Sequence, residues 1–127
     1  MPARKPKIER IGNMILLKRD QWKDHTATIS DYPGLLDEVM KYTWTYYESD
    51  HPYLKCGKLN TSLHKFVLAF LYGADQLNHM LNNDNIIEHL DNDGLNCAYD
   101  NLHIISADYN KAKAFTIDKE RALEPDI

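Results

Sequence analysis

The 127-residue chain reads as an α+β fold, in which a small antiparallel sheet and helices support a C-terminal strand–loop–strand–helix module. Three observations lead there. Short apolar or β-branched runs alternate with turn formers over residues 13–58; the apolar period switches to 3.6 at Ser62; and a loop dense in Asp, Asn and Gly separates two further apolar runs after residue 85. A chain of this length buries only about 60–68% of the surface it exposes when unfolded, so its function must fit on one compact module without a separate substrate domain.

Taken in order, residues 2–10, with Pro2, Pro6 and alternating charge, have the composition of a flexible arm. Residues 13–18 and 26–30 read as strands. Asp31 or Tyr32 is positioned to cap a helix whose first turn takes Pro33 and whose buried stripe is Leu35, Leu36, Val39 and Met40. Residues 42–47 (YTWTYY) and 53–58, separated by 48–52, form a hairpin pattern. From Ser62 as N-cap, Leu63, Phe66, Val67, Phe70 and Leu71 fall at i, i+3, i+4, i+7 and i+8, and Gly73 ends the helix. After a polar, Asn-rich stretch, residues 86–90 read as a strand ending in the pair Glu88–His89. The turn formers Asp91, Asn92, Asp93, Gly94 and Asn96 lead to a second strand over 101–105, and Ser106 caps a last helix of about two to three turns that carries Asn110. The expected organisation is therefore a basic arm and first strand over 1–23, a supporting region over 24–85, the module over 86–115 and a tail over 116–127. About 30 residues cannot own a core, so the module must lean on 24–85.

The longest apolar run, residues 66–72, falls far short of the ~20 residues that span a bilayer, so neither a membrane segment nor a secretory one is expected. Cys56 and Cys97 show no Cys-x-x-Cys pairing, which argues against a disulfide framework or a zinc knuckle and for free thiols in a reducing cytoplasm. The net charge of −4 is uneven. Residues 1–23 carry seven bases and two acids, whereas residues 86–127 carry four bases and nine acids. A phosphate-binding surface should include Arg4, Lys5, Lys7 and Arg10, unless these charges merely solvate a tail.

The stretch 86–96 (IIEHLDNDGLN), followed by Asp100-Asn101-Leu102 and then Asn110, resembles the HNH endonuclease family, in particular its His-Asn-Asn branch of phage-borne and homing enzymes. In that family an acid–His pair ends the first strand, an Asn-Leu opens the second twelve residues after the His, and an Asn or His follows nine residues later on the helix. Here those positions are Glu88, His89, Asn101 and Asn110. Residues 42–47 followed by Ser62-Leu63-His64-Lys65 are similar to the strand and helix that often precede the module in phage HNH proteins. The resemblance implies a ββα-metal module, one divalent cation, and DNA as the substrate, in a bacterial or phage-infected host cell.

The residue types suit that chemistry on their own terms. Phosphodiester hydrolysis needs a nucleophile made from water, a cation for the charge building on the phosphoryl and leaving oxygens, and fixed geometry between them. Glu88 and Asn110 offer one carboxylate and one amide oxygen to a hard cation, with Mg²⁺ or Mn²⁺ favoured and Ni²⁺ or Zn²⁺ as alternatives. His89 is the expected general base. Asn101 is expected to tie the 91–100 loop to backbone groups and so hold His89 in orientation. Neighbours on a strand point to opposite faces, so Glu88 and His89 meet at one phosphate only if the strand end twists strongly or the pair brackets it.

Other residues are second-rank candidates. The Asp91–Gly94 run lacks the spacing and Glu of an EF-hand and reads as turn chemistry. His64 and His103 are candidate extra ligands; His64 fits packing or capping within its helix better, whereas His103 is a candidate contact to phosphate or to the site. Trp22, Trp44, Tyr46 and Tyr47 fit a core or sheet face better than a base-stacking platform. Residues 86–110 hold five acids and no base, and Cys97-Ala98-Tyr99 stands where the family often has arginines; DNA affinity must then come from the arm, the metal, and Lys111 and Lys113 beyond the module's strands. The expected activity is metal-dependent cleavage or nicking of double-stranded DNA. The alternatives are a non-catalytic binding or regulatory protein on the same scaffold, and an RNA-directed nuclease.

Overall fold

Period-two alternation builds the first sheet of the computed structural model, which describes residues 6–82 and 84–106. In β2 (Met14–Lys18) Ile15 and Leu17 are buried, and in β3 (Thr26–Ser30) Ala27 and Ile29 are buried, so the two strands turn one apolar face to the core. Before them lies β1 (Lys7–Ile11), antiparallel to β2 and exposed along its whole length. Residues 7–10 are thus a strand and not a flexible arm. Gly12, at φ +61°, supplies the left-handed residue of the tight turn joining β1 to β2.

The first helix, α1 (Leu35–Val39), starts later than Asp31 or Tyr32 would place it, because the amide of Leu35 first closes a turn onto the Tyr32 carbonyl at 3.0 Å. Leu35 and Val39 are its buried residues. The aromatic hairpin is present as β4 (Thr45–Tyr47) and β5 (Tyr53–Cys56), with β6 (Thr61–Ser62) completing a three-stranded antiparallel sheet. Next comes α2 (Leu63–Tyr72), as the 3.6 period requires, with Leu63, Val67 and Leu68 buried. The Asn-rich stretch after it contains a further helix, α3 (Ala74–Leu81), which inserts Leu77 into the core.

The C-terminal module opens with β7 (Asn85–His89), which ends at His89. Its loop contributes the two-residue strand β8 (Asn96–Cys97) and then a 3-10 turn, Tyr99–Asn101. The second long strand, β9 (Leu102–Ser106), pairs antiparallel with β7, placing His89 opposite Leu102 and Glu88 opposite His103. The helix expected after Ser106, with Asn110, Lys111 and Lys113, lies outside the described residues, as do Arg4 and Lys5.

Where the module leans is decided by β8. It pairs parallel with β3, Thr28 facing Asn96 and Ile29 facing Cys97, so the first sheet runs β1-β2-β3-β8. The amide of Thr28 also donates to the Leu95 carbonyl at 2.9 Å, and that of Tyr99 to Ser30 Oγ at 2.7 Å. Leu95, Cys97 and Leu102 consequently join one core with Ile15, Ile29, Trp22, Leu63 and Leu77. Trp22 and Trp44 are core residues whose buried indole N–H groups donate to the carbonyls of Trp44 and Val39, each at 2.9 Å. Among the described residues no helix is long and apolar enough to cross a membrane.

Gly94 holds the loop against the β4–β5 turn so closely that a Cβ there would collide with the Pro52 carbonyl oxygen. Gly94→Ala should therefore destabilise the protein by about 1–3 kcal/mol, through overpacking against backbone that has no rotamer to yield. Urea denaturation should show a lower midpoint at unchanged slope; a wild-type midpoint would mean that the contact does not hold the loop.

Candidate functional site

Four consecutive residues of β7, Ile86 to His89, line a cleft of about 310 Å³ together with His51, Tyr53, His64, Asn92 and Gly94. Residues from both faces of the strand border it. Successive side chains of a strand point to opposite faces, so Glu88 and His89 reach the lining from different faces of β7. His103, opposite Glu88, lines a separate groove with Tyr72, Tyr99 and Asp100 and not this cleft. Lys7 and Arg10 do not line it either; they sit on β1, at the opposite edge of the first sheet from β8. Arg10 Nε lies 3.6 Å from Asp31 Oδ2 in an exposed ion pair.

Asn101 organises the loop above the cleft. It is the one buried polar residue among the described residues. Its Oδ1 accepts from the amide of Asp91 at 3.1 Å, and its Nδ2 donates both to Asp91 Oδ1 at 3.0 Å and to the Asn96 carbonyl at 2.8 Å. Its own carbonyl takes the amide of Leu90 at 2.9 Å. One carboxamide thus pins both arms of the loop directly after His89. Asp91 is the second anchor, accepting from the amide of Asp93 and from Asn96 Nδ2. Partial burial pushes its carboxyl upward, but hydrogen bonds from Asn96, the Asp93 amide and Asn101 outweigh this and hold it below the ordinary carboxylate value.

Beneath the cleft, His89 meets two residues that no spacing in the sequence connects to it. The His64 and His89 rings cross edge-on, 4.8 Å apart and at 88°. Cys97, fully buried, completes a group in which one donor atom from each residue lies within 4.8 Å of the others. Among the described residues, His64 Nδ1 and His89 Nε2 are buried and have no hydrogen-bond partner. His64 Nε2 bonds Ser62 Oγ at 3.0 Å, so His64 does interact within its own helix start, but it also faces the site. Burial, then the neighbouring His89 and Lys65, lowers the His64 pKa to about 4. Burial also pushes His89 below its ordinary value, against the pull of Asp91 and Asp93.

These three residues form a group able to hold a metal ion, and it is not the expected pair Glu88 and Asn110. Glu88 lines the cleft but stands outside that group, and Asn110 falls outside the described residues. The sequence offers Cys97 as a free thiol and His64 as a candidate ligand that fits packing or capping within its helix better. The missing signal was the β3–β8 pairing, which no local pattern announces. No family model matches the chain, and no curated protein or solved structure matches it either.

Two outcomes follow from this geometry. Removing the Asn101 side chain orphans the Asp91 amide and the Asn96 carbonyl, so Asn101→Ala should cost about 2–4 kcal/mol in urea denaturation, more than an ordinary surface change. The unfolded chain also holds a proton on His64 at pH values where the folded chain does not, so acidification from about 6.5 toward 4 should favour unfolding. In EDTA, the urea midpoint should fall across that window and fall less in His64→Gln. Parallel pH profiles for the two proteins would refute the assignment.

Proposed function

We propose that the chain is a metal-dependent nuclease of HNH type that hydrolyses phosphodiester bonds in DNA. The observation that carries this reading is the antiparallel β7–β9 pair with its Asn101-pinned loop, which leaves Glu88 and His89 bordering one cleft. The proton acceptor is His89. With its Nε2 turned inward, Nδ1 is the nitrogen that takes the proton of a water attacking phosphorus. Asn101 is a positioning residue, fixing the loop that begins where the His89 strand ends. The Glu88 carboxylate is a hard oxygen donor beside a cleft roomy enough for a hydrated ion and a phosphate, so it fits Mg²⁺ or Mn²⁺, with Asn110 as the companion ligand. When bound there, the cation would offset charge on the phosphoryl oxygens.

DNA affinity is the weaker side of this proposal. Residues 86–106 carry Glu88, Asp91, Asp93 and Asp100 and no Lys or Arg, so backbone contacts must come from Lys7 and Arg10 on β1 and from Arg4, Lys5, Lys111 and Lys113. That acid excess favours the second reading, a non-catalytic binding or regulatory protein built on the same scaffold.

The discriminating experiment is relaxation of supercoiled plasmid in Mg²⁺ or Mn²⁺ against an EDTA control, with an RNA substrate in parallel. Cleavage should require the metal and drop at least ~10²-fold in His89→Ala, with the circular-dichroism spectrum kept. Since burial keeps His89 neutral to lower pH, the acid limb of the rate should lie below the ordinary histidine value of about 6.5. A folded His89→Ala protein that cleaves at the wild-type rate refutes the mechanism, and no metal-dependent cleavage by the wild type favours the non-catalytic reading.

A further inference from the structure

The nuclease reading leaves unexplained why three soft donors from three different elements meet under the cleft. His64 comes from the first turn of α2, His89 from the end of β7, and Cys97 from β8. Packing alone is a poor account of the trio. Two buried imidazole nitrogens give up their hydration, and no hydrogen-bond partner among the described residues returns it. Among the described residues the Cys97 thiol makes one long hydrogen bond, to the Gly94 carbonyl at 3.8 Å. Meanwhile the second nitrogen of His64 is engaged by Ser62 Oγ at 3.0 Å. In the tautomer whose Nε2–H donates to that hydroxyl, the lone pair sits on Nδ1, the buried nitrogen without a partner among the described residues. Orientation of a ligating imidazole by a hydrogen bond at its far nitrogen is the usual support for a metal-binding histidine.

We propose that His64 Nδ1, His89 Nε2 and Cys97 Sγ hold a thiophilic divalent cation of the Zn²⁺ class, with its fourth position open to the cleft. Donor chemistry sets the class: imidazole and thiolate suit Zn²⁺, whereas Mg²⁺, Ca²⁺ and Mn²⁺ prefer oxygen. Tetrahedral bonds of ~2.1 Å to nitrogen and ~2.3 Å to sulfur place donors roughly 3.5 Å apart, so atoms now within 4.8 Å need draw in by only about 1 Å. His64 and His89 both line the cleft, which therefore supplies the water or anion that completes the shell.

Loading is a proton exchange: the Cys97 S–H bond breaks, a sulfur–metal bond forms, and the proton leaves to buffer. Burial, reinforced by Asp93 and Asp91, pushes the thiol upward, so without a cation it stays protonated. A metal on His89 Nε2 leaves the ring proton on Nδ1. If the nuclease reading holds, on which this clause alone rests, His89 in the loaded protein offers no free lone pair to the attacking water, and Zn²⁺ should switch off the Mg²⁺-dependent reaction.

The test uses the full chain stripped with a chelator. Zn²⁺ is titrated in competition with a chromophoric chelator, and Co²⁺ is followed by absorption. The expected result is one equivalent bound with release of one proton, a thiolate-to-Co²⁺ charge-transfer band, intense tetrahedral visible bands and a raised Tm in Zn²⁺ but not in Mg²⁺. Cys97→Ser should remove the charge-transfer band, and Cys56→Ser should keep it. His64→Gln, on a half-buried helix position, should weaken Zn²⁺ at least tenfold, which guards against a fold defect in Cys97→Ser. Unchanged Zn²⁺ affinity in both Cys97→Ser and His64→Gln, or a weak octahedral Co²⁺ spectrum, overturns the site. In the cleavage assay one equivalent of Zn²⁺ should abolish the Mg²⁺ reaction. Absence of any cleavage alongside intact Zn²⁺ binding would refute the nuclease reading and leave the metal site standing.

Discussion

Two residues, Asn96 and Cys97, hold the C-terminal module to the rest of the protein by adding a short parallel strand to the edge of β3. Among the described residues β7 and β9 pair only with each other, and a two-stranded ribbon is marginal in water unless it packs against a core. With the β3–β8 pairing, Leu95, Cys97 and Leu102 enter the common core. The same docking sets the site, since it brings Cys97 beneath the end of β7 and against the start of α2. The loop accepts this position because its polar demands are met inside it. Asn101 and Asp91 satisfy the backbone between them, and Gly94 has no side chain to collide with Pro52.

The cleft is a boundary between two donor chemistries. On its rim stand carboxylate and amide oxygens, from Glu88 and Asn92, while below it lie imidazole and thiol. His89 belongs to both, since it lines the cleft while its Nε2 is buried. Burial lowers both imidazole pKa values and so favours the neutral form of each ring. A neutral imidazole suits proton abstraction and soft-metal ligation alike, so the ions present would decide between them.

Legibility in the sequence followed the range of the forces involved. The helix from Leu63 was readable because Leu63, Phe66, Val67, Phe70 and Leu71 repeat at one period. The loop role of Asn101 was readable because the surrounding Asp and Asn residues form local side-chain-to-backbone bonds. The β1 strand was misread from its prolines and charges, although Gly12-Asn13 between Ile11 and Met14 is a hairpin signal. In α3 the polar majority masked Leu77, Met80 and Leu81, spaced i, i+3 and i+4. The joining of His64, His89 and Cys97 was beyond reach, because it depends on a parallel pairing between residues 28 and 96, where no turn enforces proximity. For the same reason, the position of Asn101 in the loop could be anticipated, but not the burial of its neighbour Cys97.

The exposed strand β1 protects its neighbour. It buries no side chain, so little beyond its backbone ladder holds it, and such elements open at low free-energy cost while the core stays closed. Its neighbour β2 reads MILLK, an apolar run with a single charge at its end. While β1 is paired, its Lys7, Glu9 and Arg10 present a charged border to solvent. When it peels away, the bare ladder of β2 becomes an uncharged template on which a second chain can add a strand. The N-terminal charges thus act as a gatekeeper against edge-to-edge association, a role independent of any nucleic acid.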